Sequence, residues 1–196
     1  MTASERDGGQ LSASRAPTER FREAVGRASS TYHELAGWDE VIRLVAGHAE
    51  VVAVAPTLAR DEPALIEHLQ AAGLQVVVPD GDDPALEVAD VPVAIVRGEL
   101  AIAETGSVLV SEHALGDRVV TMLCRRLVQV VDAASVVDRL ESAADWLTER
   151  AGQPGFASLM TGPSRTADIE RSLTIGVQGP DEVDVVVLAS SRSGDG

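Results

Sequence analysis

Three short stretches of this chain carry residues whose types and spacing suit chemistry. The first runs Thr161-Gly162-Pro163-Ser164-Arg165-Thr166-Ala167-Asp168-Ile169-Glu170. An apolar run, Phe156 to Met160, leads into it, and Gly162 and Pro163 break the extended chain. If Ala167 to Leu173 is a short helix, the turn at Ser164, Arg165 and Thr166 leaves backbone N–H groups free to attract an anion. Ser or Thr can cap such a helix or bind a ligand. Arg165 can add a bidentate contact to a carboxylate or phosphate within Ser164 to Asp168. The alternative is a capped loop in which Arg165 pairs with Asp168 or Glu170. The second stretch is Glu104-Thr105-Gly106. Its apolar neighbours, Ala101 to Ala103 and Val108, would raise the pKa of Glu104 and suit it to proton transfer. The alternative is a helix cap, or a pair with Arg97 or Arg165. The third is Gly176-Val177-Gln178-Gly179-Pro180, a turn in which Gln178 can hydrogen-bond a ligand or stay solvated. His113 and Arg118 can overhang the same region, or be ordinary loop residues.

The elements that must position these turns read as alternating helices and strands. Residues 1–17 read as a disordered tail, 18–189 as one domain and 190–196 as a second frayed tail. Thr18 can cap a helix whose stripe is Phe21, Ala24, Val25, Ala28, Tyr32 and Leu35, and Trp38 to Val45 makes another. Val51 to Ala55 is a continuous apolar run, as expected of a buried parallel strand. Asp61 caps the next helix, Gly73 ends it, and Gln75 to Val78 is a strand. Further strands are expected at 91–96, 107–110, 127–131, 156–160 and 183–188. Gly98 to Ala103 reads as a turn and short helix, and Val119 to Leu123 is ambiguous. Ser135 and Asp138 form a capping box for a helix with Val136, Val137, Leu140, Ala144 and Leu147 inward. The class is α/β: a single three-layer domain with a mostly parallel sheet. Ligands of such sheets bind at the carboxyl ends of strands. Glu104, Thr105, Gly106, Gly162, Ser164, Arg165, Thr166, Asp168, Gln178 and Gly179 are therefore expected to meet there around one ligand, with Glu104 as the catalytic candidate.

Composition narrows the function. Net charge is −15 over 196 residues, and every basic residue is Arg. That balance repels nucleic acid and anionic membranes. Cys124 is the sole cysteine, so the 196 residues can form no internal disulfide and hold no four-thiolate cluster. Cys124 itself reads as a small core residue. The four histidines lack ligand spacing, so no metal site is expected. No apolar run reaches membrane-spanning length, no leader is evident, and a reducing cytoplasm is the expectation. There is no dinucleotide or P-loop glycine motif and no nucleophile elbow.

Taken together, Ala101-Ile102-Ala103-Glu104-Thr105-Gly106-Ser107, the stretch Thr161 to Glu170 and Gly176 to Pro180 resemble the LUD domain of the lactate utilization protein C family. The similarity spans about Phe21 to Leu188. It implies a fold similar to the NagB/ribose-phosphate isomerase/CoA-transferase group. It also implies a part in oxidising L-lactate to pyruvate beside two iron–sulfur partner proteins, with no cofactor in this chain and the clusters on the partners. The family usually has His where Gln178 stands, so a titratable group is lost there while hydrogen bonding survives. A different reading is a stand-alone enzyme or binding module for a small anionic ligand such as a sugar phosphate or acyl-CoA, by analogy of fold.

Overall fold

The computed structural model describes residues 16–152, 155–167, 173–175 and 179–189. Pro17 opens helix α1 (Pro17–Arg27), where its missing N–H costs no helical bond. Phe21, Ala24 and Val25 bury its apolar side. The stripe through Tyr32 and Leu35 predicts a longer helix, but Ser29 adopts a φ of 63° and ends it. Strand β1 (Thr31–Leu35) follows, as its β-favouring Thr and Tyr allow. Helix α2 (Trp38–Ala46) leads to β2 (Val51–Val54). Two helices then replace the expected one. These are α3 (Pro56–Asp61) and α4 (Pro63–Ala71), and Asp61 ends the first rather than capping the second. Next come β3 (Gln75–Val77), α5 (Pro84–Val88) with Asp83 as its cap, and β4 (Val93–Arg97).

The following segment departs most from the sequence reading. Gly98 to Ala103 is not helical. It contains strand β5 (Leu100–Ile102), which pairs antiparallel with β6 (Ser107–Glu112) across a tight hairpin. Gly106, at φ +75°, makes that hairpin possible. Val119 to Leu123 resolves as helix within α6 (Leu115–Leu123), which leads to β7 (Arg126–Asp132). The Ser135–Asp138 capping box does not form. A 3₁₀ turn (Ala133–Ser135) is followed by β8 (Val136–Val137), and Asp138 pairs with Arg20. Helix α7 starts later, at Glu141–Glu149, and buries Ala143 while Leu140, Ala144 and Leu147 are exposed. Strand β9 (Phe156–Met160) precedes a small hairpin of β10 (Arg165–Ala167) and β11 (Leu173–Ile175), and β12 (Glu182–Leu188) closes the fold. The helix expected from Ala167 to Leu173 thus begins and ends in strand, with Thr166 opposite Thr174 in the register. Residues 168–172 lie outside the described part.

The chain forms an α/β domain around a six-stranded, wholly parallel sheet in the order β1-β12-β7-β4-β2-β3. Its strands are apolar runs because both faces are covered. Val52, Val54, Ile95, Leu127, Val128 and Val186 are fully buried. A second sheet, β8-β5-β6-β9, mixes parallel and antiparallel pairs. Strand order fixes where a ligand belongs. From β2 the chain steps outward to β3; from β4 it steps the other way to β7. The switch therefore falls between β2 and β4, and open α/β sheets place their ligand crevice at the carboxyl ends of the strands there.

Candidate functional site

A crevice of about 290 Å³ lies at that switch point. The end of β2 and the start of α3 supply Ala55, Thr57, Leu58 and Asp61. The end of β4 supplies Val96, Arg97, Gly98 and Glu99. Ser111 of β6, Asp117 of α6, Asp132 of β7 and Ser135 complete the polar lining. Gly98 is required for the close approach of the two sheets: a Cβ there would sit 2.3 Å from Val108 and 2.5 Å from Val131.

Asp117 organises one wall. It is 1% exposed. Its carboxylate accepts from Thr57 N at 2.9 Å, Thr57 Oγ1 at 2.7 Å, His113 N at 3.0 Å and Ala114 N at 2.9 Å. Those four donors offset the cost of burying the charge. Arg97 bridges the opposite wall, donating to Glu62 at 2.9 Å and to Asp132 at 2.5 Å. Glu99 accepts from the Ser111 hydroxyl at 2.6 Å. Arg97, Glu99 and Asp132 stand singly after apolar runs and Asp117 in the first turn of α6, so no local motif marks them. The one signal available in the sequence is position: residues just after the first and third apolar runs fall at strand ends.

The turns singled out from sequence lie elsewhere, and much of what is described there is brought together. Thr105 Oγ1 accepts from the Ser107 hydroxyl at 2.7 Å, and Ser107 Oγ lies 2.5 Å from Thr161 Oγ1. Gly106 packs on the backbone of Ala24, and Gly162 on the carbonyl of Ala28, so both turns rest on α1. Ser164 N donates to Pro180 O at 2.9 Å, and Gly179 stands against the Ser164 side chain. The backbone N–H groups of Thr105, Gly106 and Ser164 are thus already used. Glu104 is exposed and accepts from Leu140 N at 3.1 Å, just before α7. The side chains of Arg165 and Thr166, and residues Asp168 and Gln178 as a whole, lie outside what is described. His113 and Arg118 are engaged locally. The former's N–H meets Asp117, and the guanidinium of the latter sits 4.5 Å from the Phe156 ring centre.

This turn cluster is not at the carboxyl edge of the parallel sheet. Pro180 lies two residues before β12, and Asp181 N donates to Arg125 O just before β7. Both mark amino ends. The crevice sits past the other end of β7, and seven residues of strand separate the two places by about 20 Å. The described turns lie beside the amino ends of β7 and β12 because β9, which carries the chain into the motif, belongs to the second sheet. Burial also decides the cysteine: Cys124 is 4% exposed, and its thiol pKa is pushed up to about 12, so it is a core residue and not a nucleophile.

A covered parallel sheet with a polar crevice at its switch point defines a small α/β domain with a ligand-site geometry. Comparison with known proteins makes this specific: the chain belongs to the LUD domain family, whose model matches residues 36–188. It is 33% identical over 100 residues to lactate utilization protein C of Geobacillus thermodenitrificans, covering 49% of this chain and 42% of that one. It is 36% identical over 98 residues to the protein of the same name from Shouchella clausii, covering 48% and 42%. For the Bacillus subtilis protein the figures are 32% over 104 residues, 51% and 43%. The matched stretch thus spans less than half the length of these relatives. The crystal structure of a DUF162 family protein from Deinococcus radiodurans superposes with a TM-score of 0.66 over 88% of this chain and 96% of that chain, at 17% identity. That likeness shows the shared fold. Among the described residues no helix is long and apolar enough to cross a membrane.

Proposed function

We propose that this chain serves lactate utilization as a component without an iron–sulfur cluster, and that the carboxyl-edge crevice is its working site. Membership of the LUD family and the names of its relatives support the role. One observation carries the placement of the site: the polar crevice falls between β2 and β4, where the strand order switches. A single buried cysteine cannot supply the thiolates of a cluster. Electron transfer from L-lactate then runs through iron–sulfur partner subunits, and this chain contributes a ligand pocket to their assembly.

Growth tests the role. Deleting the gene should abolish growth on L-lactate and leave growth on pyruvate intact. Normal growth on lactate, with no second copy of the gene present, would refute the assignment and favour a stand-alone ligand-binding protein. The anion contact at Ser164 to Asp168 is a separate proposal. There, loss of the Arg165 guanidinium should weaken phosphate or lactate binding about tenfold, since a charge-assisted bond is worth about 1.5–3 kcal/mol. Unchanged affinity of Arg165→Ala in calorimetry would give that side chain a purely structural part.

A further inference from the structure

The walls of the crevice restrict what can enter it. Four carboxylates, those of Asp61, Glu99, Asp117 and Asp132, face one guanidinium, that of Arg97. Arg97 already answers two carboxylates, donating to Glu62 and Asp132. Asp117 is filled by its four donors. Among the described residues, the polar side-chain atoms of the lining that no hydrogen bond engages are one carboxylate oxygen each of Glu99, Asp61 and Asp132, the hydroxyl of Ser135 and Nε of Arg97. All but the Arg97 N–H accept hydrogen bonds, and Ser135 can also donate.

A second, independent observation lies in the strand beside the floor. Val96 lines the crevice, and Gln129 of β7 is its neighbour in register, on the same face of the sheet. Gln129 is 1% exposed, and neither end of its amide has a partner among the described residues. Its strand is otherwise Leu and Val at the core positions, where an unpaired amide is costly and a Leu would not be. A polar ligand atom reaching past Val96 would give that amide a partner. A carboxylate or phosphate would bring its charge against four carboxylates, with one guanidinium, already in two ion pairs, to offset them. A hydroxyl or an ammonium would find an acceptor on every side. Among the described residues no three His, Cys, Asp or Glu side chains are grouped so that they could hold a metal ion, and no aromatic ring lines the crevice to stack a base.

We infer that the crevice binds a small non-anionic ligand rich in hydrogen-bond donors, a polyol or a protonated amine, held by Glu99 and Ser135 and read at depth by Gln129. The carboxylate of a 2-hydroxy acid is not its ligand. This rests on the crevice being the working site, but not on the role in lactate use.

Calorimetry on the purified full chain tests it, with erythritol, ethanolamine, L-lactate and inorganic phosphate as probes at constant ionic strength. Erythritol or ethanolamine should give saturable heat, and which of them does so tells hydroxyl from ammonium. Glu99→Gln should weaken that binding about tenfold. Gln129→Leu should weaken it while raising the melting temperature, because the unpaired amide is gone. Should Gln129→Leu fail to fold, Ser135→Ala, at a half-exposed position, gives the same readout of affinity. Saturable binding of lactate or phosphate that Arg97→Ala abolishes would overturn the inference, as would no heat from either donor probe. Growth on lactate is read independently, so either proposal can fail while the other stands.

Discussion

Asp117 joins two segments sixty residues apart in sequence, the start of α3 and the turn before α6. Asp117→Ala leaves four donors without an acceptor in a buried place. Each unsatisfied group costs about 1–3 kcal/mol, so a loss of at least about 3 kcal/mol is expected in urea unfolding. A loss under about 1 kcal/mol would mean that water replaces the carboxylate. Cys124 carries a pH prediction. Burial raises its thiol pKa from 9.0 to about 12. Between those values the unfolded chain gives up the proton and the folded chain keeps it. The stabilisation is therefore complete below pH 9 and is lost as pH rises toward 12, by up to about 1.4 kcal/mol per pH unit. Unfolding of wild type and Cys124→Ala at pH 8 and pH 10 should show the variant lacking that part of the alkaline slope. An identical slope in both would place the thiol in contact with water. Cys124 as a core residue was legible in the sequence from its apolar neighbours. Asp117 and Glu99 were not, because what singles them out is partners brought by the tertiary fold.

At the scale of elements, the apolar runs at 51–55, 91–96, 127–131 and 183–188 read as strands, and they supply the buried parallel strands Val51–Val54, Val93–Arg97, Arg126–Asp132 and Glu182–Leu188. Shorter pieces failed where a turn overrode the periodicity. Ser29 cut one helix, and the hairpin at Gly106 turned a supposed helix into β5. The glycines of the polar turns were legible as turn formers: Gly106, Gly162 and Gly179 have φ of 75°, 72° and 116°. The partner of Gly106 and Gly162 could not be read, since α1 arrives from the far end of the chain. Gly162→Ala forces a Cβ to 2.1 Å from Ala28 O, and Gly106→Ala forces one to 2.6 Å from Ala24 C, both at positive φ. Each should cost at least about 1–3 kcal/mol. Gly26→Ala, within α1 and with nothing inside 4 Å, should be neutral or stabilise by up to about 1 kcal/mol. Thermal melts of the three variants check this. Equal melting temperatures would show that neither turn is seated on α1.

At the scale of the molecule, the two polar regions sit at opposite edges of one parallel sheet. Residue type and glycine spacing drew attention to the amino edge. Topology draws it to the carboxyl edge, and topology depends on strand order, which no single stretch of sequence records. The central claim is that the carboxyl-edge crevice does the work of this LUD domain in lactate use. Complementation of the deletion strain on L-lactate tests it most directly, with Glu99→Gln for the crevice and Thr105→Ala for the turn cluster, both confirmed folded. The account predicts that Thr105→Ala restores growth and Glu99→Gln does not. Growth with Glu99→Gln and none with Thr105→Ala would contradict it and move the site to the other edge of the sheet.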